Sequence, residues 1–263
     1  SGYGNIGGGA RQDPPRGDPR GLGAGHTRRV RPAALAAAAA TLIVALATEP
    51  GTALSLPWLP QAGVGIDLAW SGAGRVLATT AAFVLVPTVW YSGFRVTHRT
   101  GVFLGLLLIM QSFLNVMFLS QDLLVFYIGW EAALIPSVIM LGVWGGSGKR
   151  RAAMKYLMYA VTGSFLMLVS IIATKLMSGA ATFHVSDLLP AAASLPAGTQ
   201  VLLFLGFSAA FAVKLPLFPL HAWLPDFHEQ NHPSGAADVA GTLYKSGAFG
   251  FFAWAIPLLP LGA

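Results

Sequence analysis

Residues 211–228 read FAVKLPLFPLHAWLPDFH, the end of an apolar run that carries Lys214 and is then cut by Pro216 and Pro219. Proline has no N–H for the carbonyl four residues earlier, so the carbonyls of Ala212 and Leu215 are expected to lose their helical partners and the helix to break. Irregular backbone at membrane depth is tolerated only where it is packed in protein or lines a watery cavity. Freed carbonyls beside an ammonium group can hold water or pass protons.

The rest of the chain supports a membrane setting for this stretch. Of 263 residues, 55% are apolar and 10% charged, against about 25% charged in ordinary soluble domains. Apolar runs long enough for a hydrocarbon core of about 30 Å occupy residues 33–48, 75–94, 102–119, 123–143, 152–176, 200–219 and 235–257. An all-α integral membrane protein of about seven spans follows, one of them broken near 214–219. A Gly/Pro linker is expected over 49–74, a basic turn over 145–151 and a loop over 178–199. Three blocks are expected: a polar Gly/Arg-rich extension (1–32), peripheral spans (33–120) and the half carrying the broken helix (121–263).

Charge placement orients the spans. Six Arg precede the first span, Arg95 and Arg99 follow the second, and Lys149, Arg150 and Arg151 follow the fourth, all on one side. The opposite loops carry Glu49, Asp67, Asp122, His184 and Asp187, so the N-terminus is expected in the cytoplasm or matrix. The net charge of +6 is confined to these clusters, which excludes a nucleic-acid surface. With no cysteine, there is no disulfide, thiolate zinc site or cysteine-held iron–sulfur cluster. In the head, Gly7-Gly8-Gly9 follows no strand and opens no helix, so it is not a phosphate loop. Lys155 and Lys175 lie near span ends and read as lysines that snorkel to water.

Ionisable groups within spans cost about 2.5–3.5 kcal/mol each on insertion scales. Besides Lys214 there are Glu131, central in LLVFYIGWEAALIP, and Lys245 in DVAGTLYKSGAFGFF, with Asp238 seven residues earlier and expected on the same helical face. Static ion pairs that fix helix packing are one reading. Three charges beside a broken helix favour a proton relay, in which a desolvated lysine facing a glutamate loads and releases a proton. His228-Glu229-Gln230-Asn231-His232 matches H-E-x-x-H, a zinc-protease signature when it lies on one helix. Pro225 and Pro233 leave little room for that helix, and His221 is the one nearby third ligand. The competing reading makes His221, His228 and His232 titratable groups at a water-accessible entrance.

The series WEAALIP, VWGG with a basic turn, FAVKLPLFPLHAWLPDFH and SGAADVAGTLYKSGAFGF resembles the antiporter-like, proton-pumping membrane subunits of respiratory complex I, most closely the chain-M or subunit-four type. The resemblance implies that Glu131 and Lys214 form the coupled pair of a half-channel and that Lys245 passes the proton onward. Asp238, His221, His228 and His232 are then auxiliary to the path, and Pro216 and Pro219 form the helix break. It implies no cofactor in this chain, with FMN, iron–sulfur clusters and quinone in partner subunits. The implied partners are other membrane subunits, lipids and a chain supplying the second half of the fourteen-helix family fold. His232 stands where the family usually has a small residue. Either the chain is a fragment or the subunit is divided between two polypeptides that assemble in the membrane; division would halve the hydrophobic load of each chain, and with a start lacking Met a mitochondrial inner-membrane protein is expected ahead of a bacterial one. Related cation/proton antiporters and membrane-bound hydrogenases share the lysine and glutamate pattern. An intramembrane zinc protease and a scaffold with structural charges complete the alternatives.

Overall fold

The computed structural model describes residues 22–238 and 242–263. The glycine-rich segment at residues 7–9 and most of the polar extension lie outside these. Helix α1 (Leu22–Ala47) begins ahead of the apolar run and continues through Pro32. It is followed by α2 (Gly72–Arg95), α3 (Thr100–Leu119), α4 (Leu123–Trp144), α5 (Lys149–Ser178), the short α6 (Val185–Ala193) and α7 (Ala197–Lys214). Among the described residues, six helices are long and apolar enough to cross a membrane: α1 from Arg29 onward, α2 to α5 and α7. The seventh expected span is described in part: after a 3-10 turn at Ala236–Asp238, residues 239–241 lie outside the described ones, and α9 (Thr242–Gly250), a π-helical stretch Phe251–Ala255 and a last turn Ile256–Leu258 then run on consecutively.

Packing is by close backbone approach, the usual solution where lipid removes the hydrophobic drive between helices. Helices α3 and α4 run along each other, as do α5 and α7. At the α5 and α7 contact a Cβ on Gly206 would collide with Ser170 Oγ, and one on Gly163 would lie 3.1 Å from Ala210 Cα. The faces turned outward remain apolar, with Phe83, Phe165, Leu202 and Phe252 all exposed, as a hydrocarbon-facing surface requires.

The stretch expected to be a Gly/Pro linker is a β-hairpin. Strand β1 (Ala53–Leu59) pairs antiparallel with β2 (Val64–Ala69), placing Leu54 opposite Leu68 and Leu56 opposite Ile66. The alternation Leu-x-Leu-x-Trp then Val-x-Ile-x-Leu is the period-two signal behind it, and Gly63, at φ 70°, closes the turn. The hairpin is tied to the span ends. Gly65 N–H donates to Asp122 Oδ2 at 3.3 Å, while Asp122 Oδ1 accepts from the Leu124 and Val125 amides at 2.9 and 3.1 Å and so caps α4.

Lys175 is also used here rather than released to water. Its Nζ donates to the Ala62 carbonyl at 2.7 Å and lies 4.6 Å from the Phe183 ring centroid. Lys155, partly exposed near the start of α5, places its Nζ 3.0 Å from Asp226 Oδ2. Both lysines sit, partly exposed, at span ends where a hairpin or a short helix folds back and offers a protein acceptor.

Candidate functional site

Helix α7 delivers Lys214 as its last residue, and the side chain is only 3% exposed. Its Nζ donates to the Trp130 carbonyl at 3.4 Å and lies 4.4 Å from the Trp130 ring centroid. Trp130 precedes Glu131 on α4, so this geometry brings ammonium and carboxylate into one neighbourhood. The two charges interact, yet their atoms are not within the 4.0 Å of a contact ion pair. Glu131 is half-buried and is also felt by the hydroxyls of Tyr127 and Tyr156.

The break after Lys214 occurs where the prolines place it; of the two carbonyls expected to lose their partners, Ala212 finds another donor, while no hydrogen bond to the Leu215 carbonyl is found among the described residues. Pro216 cannot serve Ala212, and the next available donor, Leu217 N–H, reaches the Ala212 carbonyl at 2.9 Å across a wider turn. The Val213 carbonyl accepts from the Trp223 indole Nε1–H at 3.0 Å. Turns then carry the chain past Pro219, which follows a cis peptide, to α8 (Leu224–Gln230). An unpaired carbonyl at this depth would cost several kcal/mol by general estimates, about as much as a buried polar group without a partner. Trp223 is buried and packed on Tyr156, with ring centroids 4.7 Å apart, so the donor is held in place.

On the basic side of the bundle, His228 of α8 lies with Nε2 3.2 Å from Tyr244 Oη. That hydroxyl donates to Asp238 Oδ2 at 2.7 Å. Asp238 is buried at the end of the 3-10 turn, where the Ala237 carbonyl accepts from Ser137 Oγ of α4. Tyr156 of α5 engages Ser137 and feels both Asp238 and Glu131. His228, Tyr244 and Asp238 thus form one hydrogen-bonded cluster, Glu131 and Lys214 form a second, electrostatic one, and buried Tyr156 lies within electrostatic range of Asp238 and Glu131. Ser137, Tyr156 and Tyr244 were missed in the sequence. Their signal was a hydroxyl inside an apolar span, which must find a partner.

The other candidate residues are placed differently. Lys245 is exposed on α9, whereas Lys214 is buried. Asp238 closes a 3-10 turn and Lys245 lies on α9, which starts at Thr242, with residues 239–241 between them outside the described ones. His221 is exposed beside Phe218, with ring centroids 5.8 Å apart. His232 is half-buried, its ring 5.5 Å from Phe103 and its Nδ1 accepting from Ser234 N–H at 3.2 Å. Burial and the nearby Arg95 charge hold His232 below the ordinary imidazole range. Because α8 ends at Gln230, His228 and His232 are not two ligands one turn apart on a helix, which removes the geometric basis of the zinc-protease reading.

With this geometry in place, similarity to known proteins is informative. Residues 120–261 match the family described as NADH:quinone oxidoreductase/Mrp antiporter, TM. The chain is 45% identical over 218 residues to NADH-quinone oxidoreductase subunit 13 of Thermus thermophilus, covering 82% of this chain and 45% of that protein. It is 33% identical to NADH-quinone oxidoreductase subunit M of Rhodobacter capsulatus, covering 93% of this chain and 51% of the relative. Among solved structures, it superposes on a chain of respiratory complex I from Thermus thermophilus with bound NADH at a TM-score of 0.80 and 42% identity, covering 88% of this chain and 50% of that one. The chain thus spans about half the length of the curated relatives it matches.

Proposed function

Because the chain belongs to the NADH:quinone oxidoreductase/Mrp antiporter transmembrane family, we propose that it is a proton-translocating membrane subunit of an NADH:quinone oxidoreductase, carrying the half-channel built on Glu131 and Lys214. The observation that supports this best is a buried ammonium at the end of a broken helix, in electrostatic contact with a carboxylate but not locked to it. A locked pair would serve packing; separable charges serve transfer. While Glu131 is ionised it holds the proton on Lys214, and its neutralisation lets that proton leave for the next base. The proton arrives by way of His228, Tyr244 and Asp238, and Lys245, exposed on α9, hands it to groups beyond this chain. His221 and His232 flank the entrance.

The chain itself contributes no redox group in this reading. FMN, iron–sulfur clusters and quinone belong to partner subunits, and a chain or segment supplying the second half of the channel faces Lys245. The membrane is an energy-coupling one, and 45% identity to a bacterial subunit supports the bacterial cytoplasmic membrane ahead of the mitochondrial inner membrane. The deciding experiment embeds the assembled complex in vesicles and follows acidification driven by NADH. Lys214→Ala and Glu131→Ala are expected to abolish most translocation while the complex assembles; normal acidification by both overturns the proposal. A second reading, a cation/proton antiporter, is favoured by the family's own breadth. Acidification that depends on an added cation and not on NADH would select it.

A further inference from the structure

Helix α8 carries His228 and is only seven residues long, too short to hold its own place. Two ties attach it to the start of α5. One is the Lys155 to Asp226 ion pair at 3.0 Å. The other is Gln230. Gly146 N–H donates to the Gln230 carbonyl at 2.8 Å, and Gly148 N–H donates to its Oε1 at 2.7 Å.

The turn that receives Gln230 is shaped for it. A Cβ at Gly145 would lie 2.7 Å from the Gln230 carbonyl oxygen, one at Gly146 would lie 2.7 Å from its Oε1, and one at Gly148 would lie 3.1 Å from its Cδ. Three glycines in four residues therefore clear a seat for one side chain. Beside the two ties lies a polar cleft of about 210 Å³ between α8 and α5, lined by Arg151, Asp226 and Glu229 among others. Phe227 of α8 is buried against Tyr156 of α5, ring centroids 4.9 Å apart, so one packed ring and two polar ties hold the helix. His228 lies two residues before Gln230, and its 3.2 Å approach to Tyr244 would be lost if α8 slid by one residue, about 1.5 Å.

We propose that Gln230 is a positioning residue of the proton entrance: seated in the Gly145–Gly148 turn, it holds α8 where His228 meets Tyr244. This rests on the proton-relay reading above and adds a part that the reading does not itself require. Gln230 touches neither member of the His228 and Tyr244 pair directly, so its effect must pass through His228.

The test compares NADH-driven acidification by vesicle-embedded complex, normalised to assembled complex. Gln230→Ala is expected to lower the rate about two- to ten-fold, the range of one lost hydrogen bond. Gln230→Glu keeps an acceptor for Gly148 N–H and is expected to stay near the parent rate. In a His228→Ala background, Gln230→Ala is expected to lower nothing further, because both changes remove the same contact. Should Gln230→Ala prevent assembly, Gly148→Ala replaces it; this change presses on the amide, leaves α8 intact and is expected to give the same pattern. An unchanged rate in Gln230→Ala or in His228→Ala overturns the inference, as does an equal fall with and without His228. Lys214→Ala separates the two levels: if it stops acidification while Gln230→Ala does not slow it, only the positioning role falls. Full acidification in Lys214→Ala removes the relay reading and this inference together.

Discussion

Lys214 Nζ sits 4.4 Å from the centroid of the Trp130 ring and 3.4 Å from that residue's carbonyl oxygen, one position before Glu131 in the same helix. The indole is a neutral partner that stabilises the ammonium without neutralising it, so the cation keeps its place whatever the state of the carboxylate. A ring offers charge density over its face and no proton acceptor, which lets it hold a cation that must later give up a proton.

That relationship makes Trp130→Leu informative. Removing a desolvated cation–π contact costs about 2 kcal/mol, and the ring also packs on Phe211 at 5.4 Å. Translocation should fall by more than tenfold in reconstituted vesicles while Trp130→Phe recovers part of it. Equal activity of Trp130→Leu and the parent would mean that the indole only fills space.

The indole of Trp223 secures the broken helix. Trp223→Phe keeps the ring packing on Tyr156 but deprives the Val213 carbonyl of its donor. A buried carbonyl left without a partner costs about 1–3 kcal/mol, so thermal unfolding of the detergent-solubilised subunit should begin several degrees lower. An unchanged unfolding temperature would show that another donor takes over.

His232 provides a pH signature outside the relay. Its imidazole is held below the ordinary range by burial and Arg95, so the folded state favours the neutral ring, whose Nδ1 accepts from Ser234 N–H. The sign follows: this contribution is fully present above the unfolded value of about 6.5 and is lost as pH falls below it. Proteolysis of the 231–235 loop should quicken between about pH 7 and pH 5, and His232→Gln should remove the pH dependence. A loop cut at one rate across that range in the parent protein would contradict the assignment.

Asp122 joins a helix cap to the hairpin. Asp122→Ala removes acceptors for Leu124, Val125 and Gly65 amides, at about 1 kcal/mol for the cap alone. Hydrogen exchange at Gly65 and along β2 should accelerate together with the first turn of α4. Faster exchange in α4 with an unaltered hairpin would show that the strands hold without this tether.

The spans were legible because hydrocarbon solvation acts on each residue locally: a run of apolar side chains identifies itself whatever it packs against. The helix break at Pro216 and Pro219 was legible for the same reason, since a missing N–H is a property of the residue. The hairpin at 53–69 escaped notice because its alternation is short and interrupted by Pro57, and proline and glycine density outweighed it.

What the amino-acid sequence determined by itself is therefore where the apolar spans lie, where the backbone must break and which charges fall inside spans. The tertiary structure alone decided which groups meet. Hydrogen bonds act over about 3 Å, and only folding brings His228 to Tyr244, Ser137 to the turn before α9, Trp223 to the carbonyl of Val213 and Gln230 to a glycine turn more than eighty residues away. The same short range left Glu131 and Lys214 near each other but not joined, a separation that no spacing along the chain encodes.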